Sequence, residues 1–372
     1  MFQREQSETT SKMNLTENKM THTSWNGKRV LVTGVCGTVG RELLRQIVRM
    51  RPLEVVGIDN NESELFFLSE AYRDDDRVHL YLSDLRDRTG LIKRARGIDI
   101  ILHAAALKHV ILCEHSPSDA IQTNILGTQN VIDAAMHCDV ERVIFTSSDK
   151  AVNPTNVMGT SKLMGERLMT AANACKRGEG PIFAATRFGN VLGSRGSVIP
   201  LFKRQIANGG PVTLTDRRMT RFIMTLEQAV HLVMESVFMA RGGEVFVTKM
   251  PVVRIEDLAI VMIEELEPDH GYVTGQISMA EIGSKAGEKF YEELLNEEEI
   301  RRTIELPKYF VALPAFKSVY ENIDYIYPGM NGTGLCKAYN SSVETPMTKE
   351  ALRSYLLEHN LLTELEEVHA CA

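Results

Sequence analysis

From about Trp25 onward, short runs of β-branched and other apolar residues alternate with longer stretches whose apolar positions recur at helical spacing. Arg29–Thr33 and Glu54–Asp59 predict strands flanking a helix over Thr38–Met50. Arg77–Leu82, Asp99–His103 and Val140–Ser147 predict three more strands, with a long helical stretch near Ser118–His137 before the last of them. A helix over Val157–Cys175 and a strand over Ile182–Arg187 follow. Strands separated by helix-length segments require right-handed crossovers. The pattern therefore calls for an α/β fold with a doubly wound, mostly parallel sheet covered on both faces.

Beyond Arg187 the rhythm loosens. Gly, Ser, Pro, Arg and Thr gather between Gly189 and Arg221, around a helix at Val198–Asn208. Leu226–Met239 and Ile255–Glu265 read as helices, and Glu244–Thr248 as extended. The division that results is a polar, flexible arm over residues 1–24, a main sheet domain over 25–188, a smaller lobe over 189–330 with a possible return to the main sheet, and a C-terminal extension over 331–372. The acidic segment Glu292–Glu299 reads as the solvated face of a helix, and the tail after Tyr327 as loop until a helix over Thr348–Leu356.

Composition narrows the partners more than the fold. The chain has 372 residues and a formal charge of -7, from 49 acidic and 42 basic side chains. Non-specific nucleic-acid binding draws on an excess of Lys and Arg, which is absent, whereas small phosphorylated ligands need only local positive charge. The six cysteines are widely spaced with no CxxC, which points to reduced thiols in a cytoplasmic protein, with neither metal site nor disulfide framework. No apolar run approaches the ~18 residues of a membrane span, and no hydrophobic segment follows the N-terminal lysines as in a signal peptide.

The segment from Val30 to Gly40 places Gly34, Gly37 and Gly40 where a buried strand turns into a helix, with Thr38 and Val39 opening that helix. Glycines there permit a tight turn and close approach of a pyrophosphate to the helix N-terminus, so residues 25–188 read as a Rossmann-like dinucleotide-binding domain. Asp59 ends the second strand, where a carboxylate accepts the adenosine ribose hydroxyls and repels a 2′-phosphate. Since Asn60, Asn61 and Glu62 bring no cation, NAD is favoured over NADP; the alternative for Asp59 is a helix cap. Asp84, with Leu85, either orients adenine or is an ordinary loop carboxylate. Ala104, Ala105 and Ala106 would let nicotinamide pass close to the backbone, and Lys108 and His109 either face the substrate or lie on a surface loop. Met158 and Lys162 have the spacing of a YxxxK motif with Met in the tyrosine position.

At this point the chain resembles the extended short-chain dehydrogenase/reductase family, and within it the bacterial UDP-N-acetylglucosamine 4,6-dehydratases. The segments AAALKHV, TNILGTQNVIDAA, SSDKAVNPTNVMGTSK, RFGNVLGSRGSVIPLF and LTDRRMTRF carry the likeness, with GEK at Gly287–Lys289. The resemblance implies that Lys162 holds the nicotinamide ribose, that Met158 occupies the usual tyrosine position, and that Ser148, Asp149 and Lys150 face the sugar. Methionine there occurs in a branch of these dehydratases with membrane-linked and short soluble members, and this chain looks like the soluble kind. The resemblance further implies a substrate wall at Asn190, Arg195, Ser197 and Val198, and a Gly287–Lys289 segment, including Glu288, closing over the nucleotide. Arg221 either meets the diphosphate or is a solvated surface group.

The reaction so implied is oxidation of UDP-N-acetylglucosamine at C4, loss of water across C5 and C6, and hydride return to C6, with C5 expected to keep its configuration. A thioether cannot act as a base, so Asp149 is expected to deprotonate the C4 hydroxyl oriented by Ser148 and later to protonate the departing C6 oxygen. Lys150 would move the C5 proton, its pKa lowered by burial or by cations such as Lys108. A configuration-inverting dehydratase, a UDP-sugar 4-epimerase and a non-catalytic dinucleotide sensor are the alternatives. A homodimer or higher homo-oligomer and a downstream sugar-nucleotide enzyme are the implied partners.

Overall fold

The computed structural model describes residues 24–175, 180–194, 196–283, 287–316, 323–330, 332, 334–335 and 337–363. The arm expected over 1–24 lies outside them except for Ser24, as does Arg195. Strands β1 (Arg29–Thr33), β2 (Glu54–Asp59), β3 (Val78–Leu82), β4 (Ile100–His103), β5 (Arg142–Ser148) and β6 (Ile182–Phe188) pair in parallel in the order 3-2-1-4-5-6. This is the doubly wound arrangement whose crevice opens at the carboxyl ends of the strands, where the order reverses. The near-continuous apolar runs of β1, β4 and β5 are buried on both faces, which is why they read as strands without alternation. Helices Glu62–Ala71 and Arg88–Ala95 fill crossovers that the pattern left unassigned.

Three later segments rejoin this sheet. Val245–Thr248 pairs parallel to β6, Tyr309–Ala312 antiparallel to it in turn, and Thr303–Glu305 forms the edge. Helix Leu226–Met239 also packs into the main core, while other parts of the chain after Phe188 build a second core around Ile199, Phe202, Val253, Leu258, Met262 and Leu352. The cut at residue 188 therefore divides the sequence but not the sheet. Trp25, fully buried with its ring edge-on to Phe238 at 5.1 Å, anchors the start of the described chain. Among the described residues no helix is long and apolar enough to cross a membrane.

Two expectations are corrected. The acidic Glu292–Glu299 segment is not a solvated helix: Glu293–Leu295 is a strand paired with Tyr339–Asn340, and Glu292 and Glu299 are buried. Their nearest cationic partners, Lys150 and Arg221 for Glu292 and Arg187 for Glu299, come from distant parts of the chain, so the local sequence does not mark them as interior. The stretch near Ser118–His137 is helical but not uniform. It carries a π-helical turn at Ile121–Leu126 between helices Pro117–Ala120 and Gly127–His137. Such turns often accompany functional sites, because the extra residue re-aims side chains.

Candidate active site

The carboxyl ends of the central strands open into one cavity of about 1230 Å³, larger than the ~300–1,000 Å³ usual for a single small molecule. Its floor is the glycine turn. Gly34 has φ 70°, and a Cβ on it would lie 2.7 Å from the Ala105 backbone. A Cβ on Gly40 would lie 2.1 Å from the Gly34 carbonyl oxygen, so only glycine lets helix Thr38–Arg49 start this close to β1. That helix has Gly37 at its N-cap and no side-chain capping bond, which leaves its first N–H groups for an anion.

Asp59 is fixed above this turn. Its Oδ2 accepts from the Cys36 N–H at 2.9 Å and its Oδ1 from the Asn61 N–H at 3.0 Å, while the next helix is capped by Asn61. The capping alternative for Asp59 is thereby removed. Burial, reinforced by Asp59, pushes the Cys36 thiol up to about 12, so it stays a neutral part of the loop. Thr38, Val39, Asn60, Asp84, Leu85, Ala104, Ala105, Ala106 and Lys108 all line the cavity. Asp84 is paired with Arg86 at 2.6 Å, and that pairing holds its carboxyl below the usual range. An open helix N-terminus, a carboxylate at the end of β2 and small residues at the end of β4 together fit a dinucleotide.

Beneath the far end of this cavity lies a buried polar chain that the sequence did not disclose. Thr128 Oγ1 donates to the Asn124 carbonyl at 2.7 Å, so it accepts from His103 Nε2 at 3.0 Å. His103 Nδ1 is then the acceptor for the Thr33 hydroxyl at 2.7 Å, and Thr33 Oγ1 accepts from the Ala105 N–H. Burial, with Lys162 nearby, lowers His103 to about 3, so it remains a neutral strut. Asn124, on the π turn, accepts from the Leu107 N–H and donates to the Leu107 carbonyl and to Ser161 Oγ. The loop carrying Lys108 and His109 is thus tied to the helix carrying Lys162. Asn124 and Thr128, polar residues four apart on the helix face that also carries Ala120 and Val131, were the available signal.

Lys162 sits on helix Val157–Cys175, buried, with Nζ donating to the Thr146 carbonyl at 2.9 Å. Burial lowers its ammonium to about 8, against the pull of Glu166. Met158, also buried, packs with Cys113 and Ala120 and lines the cavity. A Cβ on Gly159 would lie 2.2 Å from the Lys150 carbonyl oxygen, so this helix rests directly on the turn after β5.

That turn carries Ser148, Asp149 and Lys150. Asp149 Oδ1 accepts from Ser148 Oγ at 2.7 Å and from Lys150 Nζ at 3.1 Å, while its buried Oδ2 has no hydrogen-bond partner among the described residues. Lys150 Nζ also lies 3.3 Å from Glu292 Oε1. Burial opposes charge on Lys150, but Asp149 and Glu292 outweigh burial and the repulsion of Arg221, and its pKa is raised. This corrects the expectation of a lysine made neutral by cationic neighbours such as Lys108: its immediate partners are carboxylates.

On the opposite side, His109, Asn190, Ser197, Val198, Arg221 and Glu288 also line the cavity. Ser197 precedes helix Val198–Ala207 without capping it, and its buried Oγ has no partner among the described residues. Arg221 is not a solvated group. It is buried and donates to the carbonyls of Thr220, Lys289 and Phe290, with Glu288 at 3.7 Å and Glu292 at 3.8 Å. Its donors thus fasten the Glu288–Glu292 segment rather than point only at a ligand.

The sheet order, the glycine turn and the Ser-Asp-Lys turn beside Lys162 define a Rossmann-type dinucleotide-binding enzyme of the epimerase/dehydratase class. The chain belongs to the polysaccharide biosynthesis protein family, whose sequence profile matches residues 30–314. It is 44% identical to an uncharacterized membrane protein of Methanocaldococcus jannaschii, over 91% of this chain and 98% of that one. It is 36% identical to an inverting UDP-N-acetylglucosamine 4,6-dehydratase of Campylobacter jejuni, over 81% and 87%, and 35% identical to a UDP-glucose 4-epimerase of Rickettsia akari, over 91% and 97%. Among solved structures, Pen from Bacillus thuringiensis superposes with a TM-score of 0.85 at 40% identity, covering 91% of this chain and 99% of that one. The expectation that C5 keeps its configuration is corrected here, because the Campylobacter dehydratases are named as inverting. Retention had rested on no particular residue.

Proposed function

We propose that the protein is a configuration-inverting 4,6-dehydratase acting on UDP-N-acetylglucosamine with NAD. The observation that carries this reading is the turn at the end of β5, where Ser148 and Lys150 line the same cavity as Met158 and Lys162 and both bond to Asp149 buried behind them. It combines a carboxylate and an amine where an oxidation alone would need one base. Gly34, Gly37 and Gly40 with the open helix N-terminus would hold the pyrophosphate of NAD, Asp59 its adenosine ribose, and Lys162 its nicotinamide ribose. When bound, NAD supplies hydride chemistry, oxidising C4 and later reducing C6.

The protein's own groups move the protons. Asp149 takes the proton of the C4 hydroxyl by way of Ser148, whose Oγ lines the cavity and donates to Asp149 Oδ1, and a ketone at C4 then makes the C5 proton acidic. Lys150 removes that proton, and Asp149 returns its own to the C6 oxygen as water leaves. Inversion requires the new C5 proton to arrive on the opposite ring face, out of reach of Lys150, so water in the cavity is the donor. Met158 cannot exchange protons and serves to exclude water beside Lys162. Ser197 and the N-terminus of its helix would receive the UDP diphosphate.

Exposed apolar side chains outside the cavity (Ile121, Leu126 and Met164) support self-association. The 4-keto product would pass to a downstream sugar-nucleotide enzyme. A 4-epimerase is the second reading, favoured by the Rickettsia relative. Mass analysis of UDP-N-acetylglucosamine incubated with the protein and catalytic NAD+ separates the two. A product lighter by one water is expected; an isomer of unchanged mass would establish epimerisation, and binding without product would establish a sensor.

A further inference from the structure

Glu292 has no place in the chemistry described so far, yet it is built into the site. The side chain is buried, and its Oε1 lies 3.3 Å from Lys150 Nζ and 3.8 Å from Arg221 Nε. Its Oε2 is buried with no hydrogen-bond partner among the described residues. The backbone is clamped on both sides by Ser341: the Glu292 N–H donates to Ser341 Oγ at 2.9 Å, and the Ser341 N–H donates to the Glu292 carbonyl at 2.9 Å. A buried carboxylate costs stability unless it is paired. Here the pairing is loose and leaves one oxygen free. An ion pair serving structure alone would be closed, as the Arg187 pair with Glu166 is at 2.6 Å.

The proposed reaction poses a problem that Glu292 solves. Lys150 needs a free lone pair to remove the C5 proton, but its surroundings favour the ammonium. Resting on the dehydratase reading, we propose that Glu292 is a positioning residue that takes the resting proton of Lys150, so that the amine is neutral when C5 is deprotonated. A proton moves from Nζ to Oε1, and two opposite charges become a neutral amine and a neutral carboxyl. Burial supports that exchange, since it disfavours charge on both groups, and it raises the Glu292 pKa. The Nζ lone pair then forms a bond to the C5 proton. The electrons of the broken C5–H bond form the C5–C6 double bond as the C6–O bond breaks, and the oxygen leaves as water with the proton from Asp149. Afterwards the extra proton on the Lys150–Glu292 pair returns to solvent, which balances the one that water delivers to C5.

The charged groups around the pair come from three segments. Asp149 lies on the Lys150 turn, Arg221 comes from strand Thr220–Met224, and Glu288 and the Lys289–Glu293 ion pair come from the segment carrying Glu292. Asp149 acts in the same direction as Glu292 on Lys150, and Arg221 in the opposite one.

The test is Glu292→Gln, which keeps the size and one acceptor but cannot take the proton, with Glu292→Asp as the variant that keeps a carboxyl. In the wild type, kcat is expected to be flat across neutral pH because the proton is exchanged internally. In Glu292→Gln the proton must leave to solvent, so kcat should fall about 10–100-fold at neutral pH and then rise about tenfold per pH unit, with KM little changed. Glu292→Asp should restore the flat profile. A Glu292→Gln enzyme slower by one factor at every pH would overturn the proposal in favour of a structural role. A second readout needs no turnover: acylation of Lys150 in the sugar-free protein, followed by peptide mass mapping. Without Glu292 the amine becomes neutral only by losing its proton to solvent, so acylation at neutral pH should slow about 10–100-fold, in step with kcat; equal or faster rates would overturn the coupling. Should the wild type fail to release water, the dehydratase reading falls, while the acylation comparison still decides whether Glu292 governs Lys150.

Discussion

Asp149→Asn is expected to lower kcat for water loss by about 10²–10⁴, the range of a positioned acid–base group, with KM changed by no more than about threefold. The substitution keeps the side-chain volume and can retain one acceptor for Ser148 and Lys150, so the fold should survive. What it removes is the proton acceptor behind Ser148, used at C4 and again at C6. Lys150→Ala should cost as much, but at C5 alone. The two are distinguishable in single-turnover experiments: Asp149→Asn stalls before a ketone forms, whereas Lys150→Ala accumulates a 4-keto sugar that keeps its C6 oxygen. Near-normal dehydration by both variants would remove this turn from the chemistry.

The largest expected loss of stability is elsewhere. Arg187 is buried at the end of β6 and donates to Glu166 at 2.6 Å, to Glu299 at 2.9 Å and to the Leu294 carbonyl at 2.7 Å. It ties the Lys162 helix to the segment after Glu292. Arg187→Met takes the closest cation from two buried carboxylates, leaving Glu299 only Arg302 at 4.0 Å among the described residues, and should destabilise the protein by about 3–5 kcal/mol, read as the midpoint of chemical unfolding. Burial raises the Glu299 pKa, but Arg187 outweighs it, and the net direction is down. A depressed glutamate contributes stability above its unfolded-state pKa and loses it as pH falls through the folded value. The gap between wild type and Arg187→Met should therefore be widest near neutral pH and narrow in acid. A gap that stays constant into acid would mean that lost packing, not uncompensated charge, is the cause.

What was legible in the chain divides along physical lines. The parallel strands announce themselves because β1, β4 and β5 are apolar on both faces, and the glycine turn because close backbone approach admits no other residue at Gly34 or Gly40. The Ser-Asp-Lys turn was legible through family motifs, since three adjacent polar residues say little about their surroundings. Glu292 was not legible. It lies in an acidic run, and the groups that make its burial tolerable, Lys150 and Arg221, reach it only through tertiary structure. The sign of the Lys150 shift was missed for the same reason, because it depends on which charges surround the amine. Arg221 shows the converse: an arginine that spacing leaves open as a phosphate ligand or surface group is used to hold its own backbone.

Dehydration run in deuterated water, with NMR of the product before any second enzyme acts, puts the proton chemistry of Asp149 and Lys150 to its most direct trial. A 4-keto sugar nucleotide with C5 inverted and carrying solvent deuterium is expected. A dehydrated sugar with its original C5 hydrogen and configuration intact would contradict it.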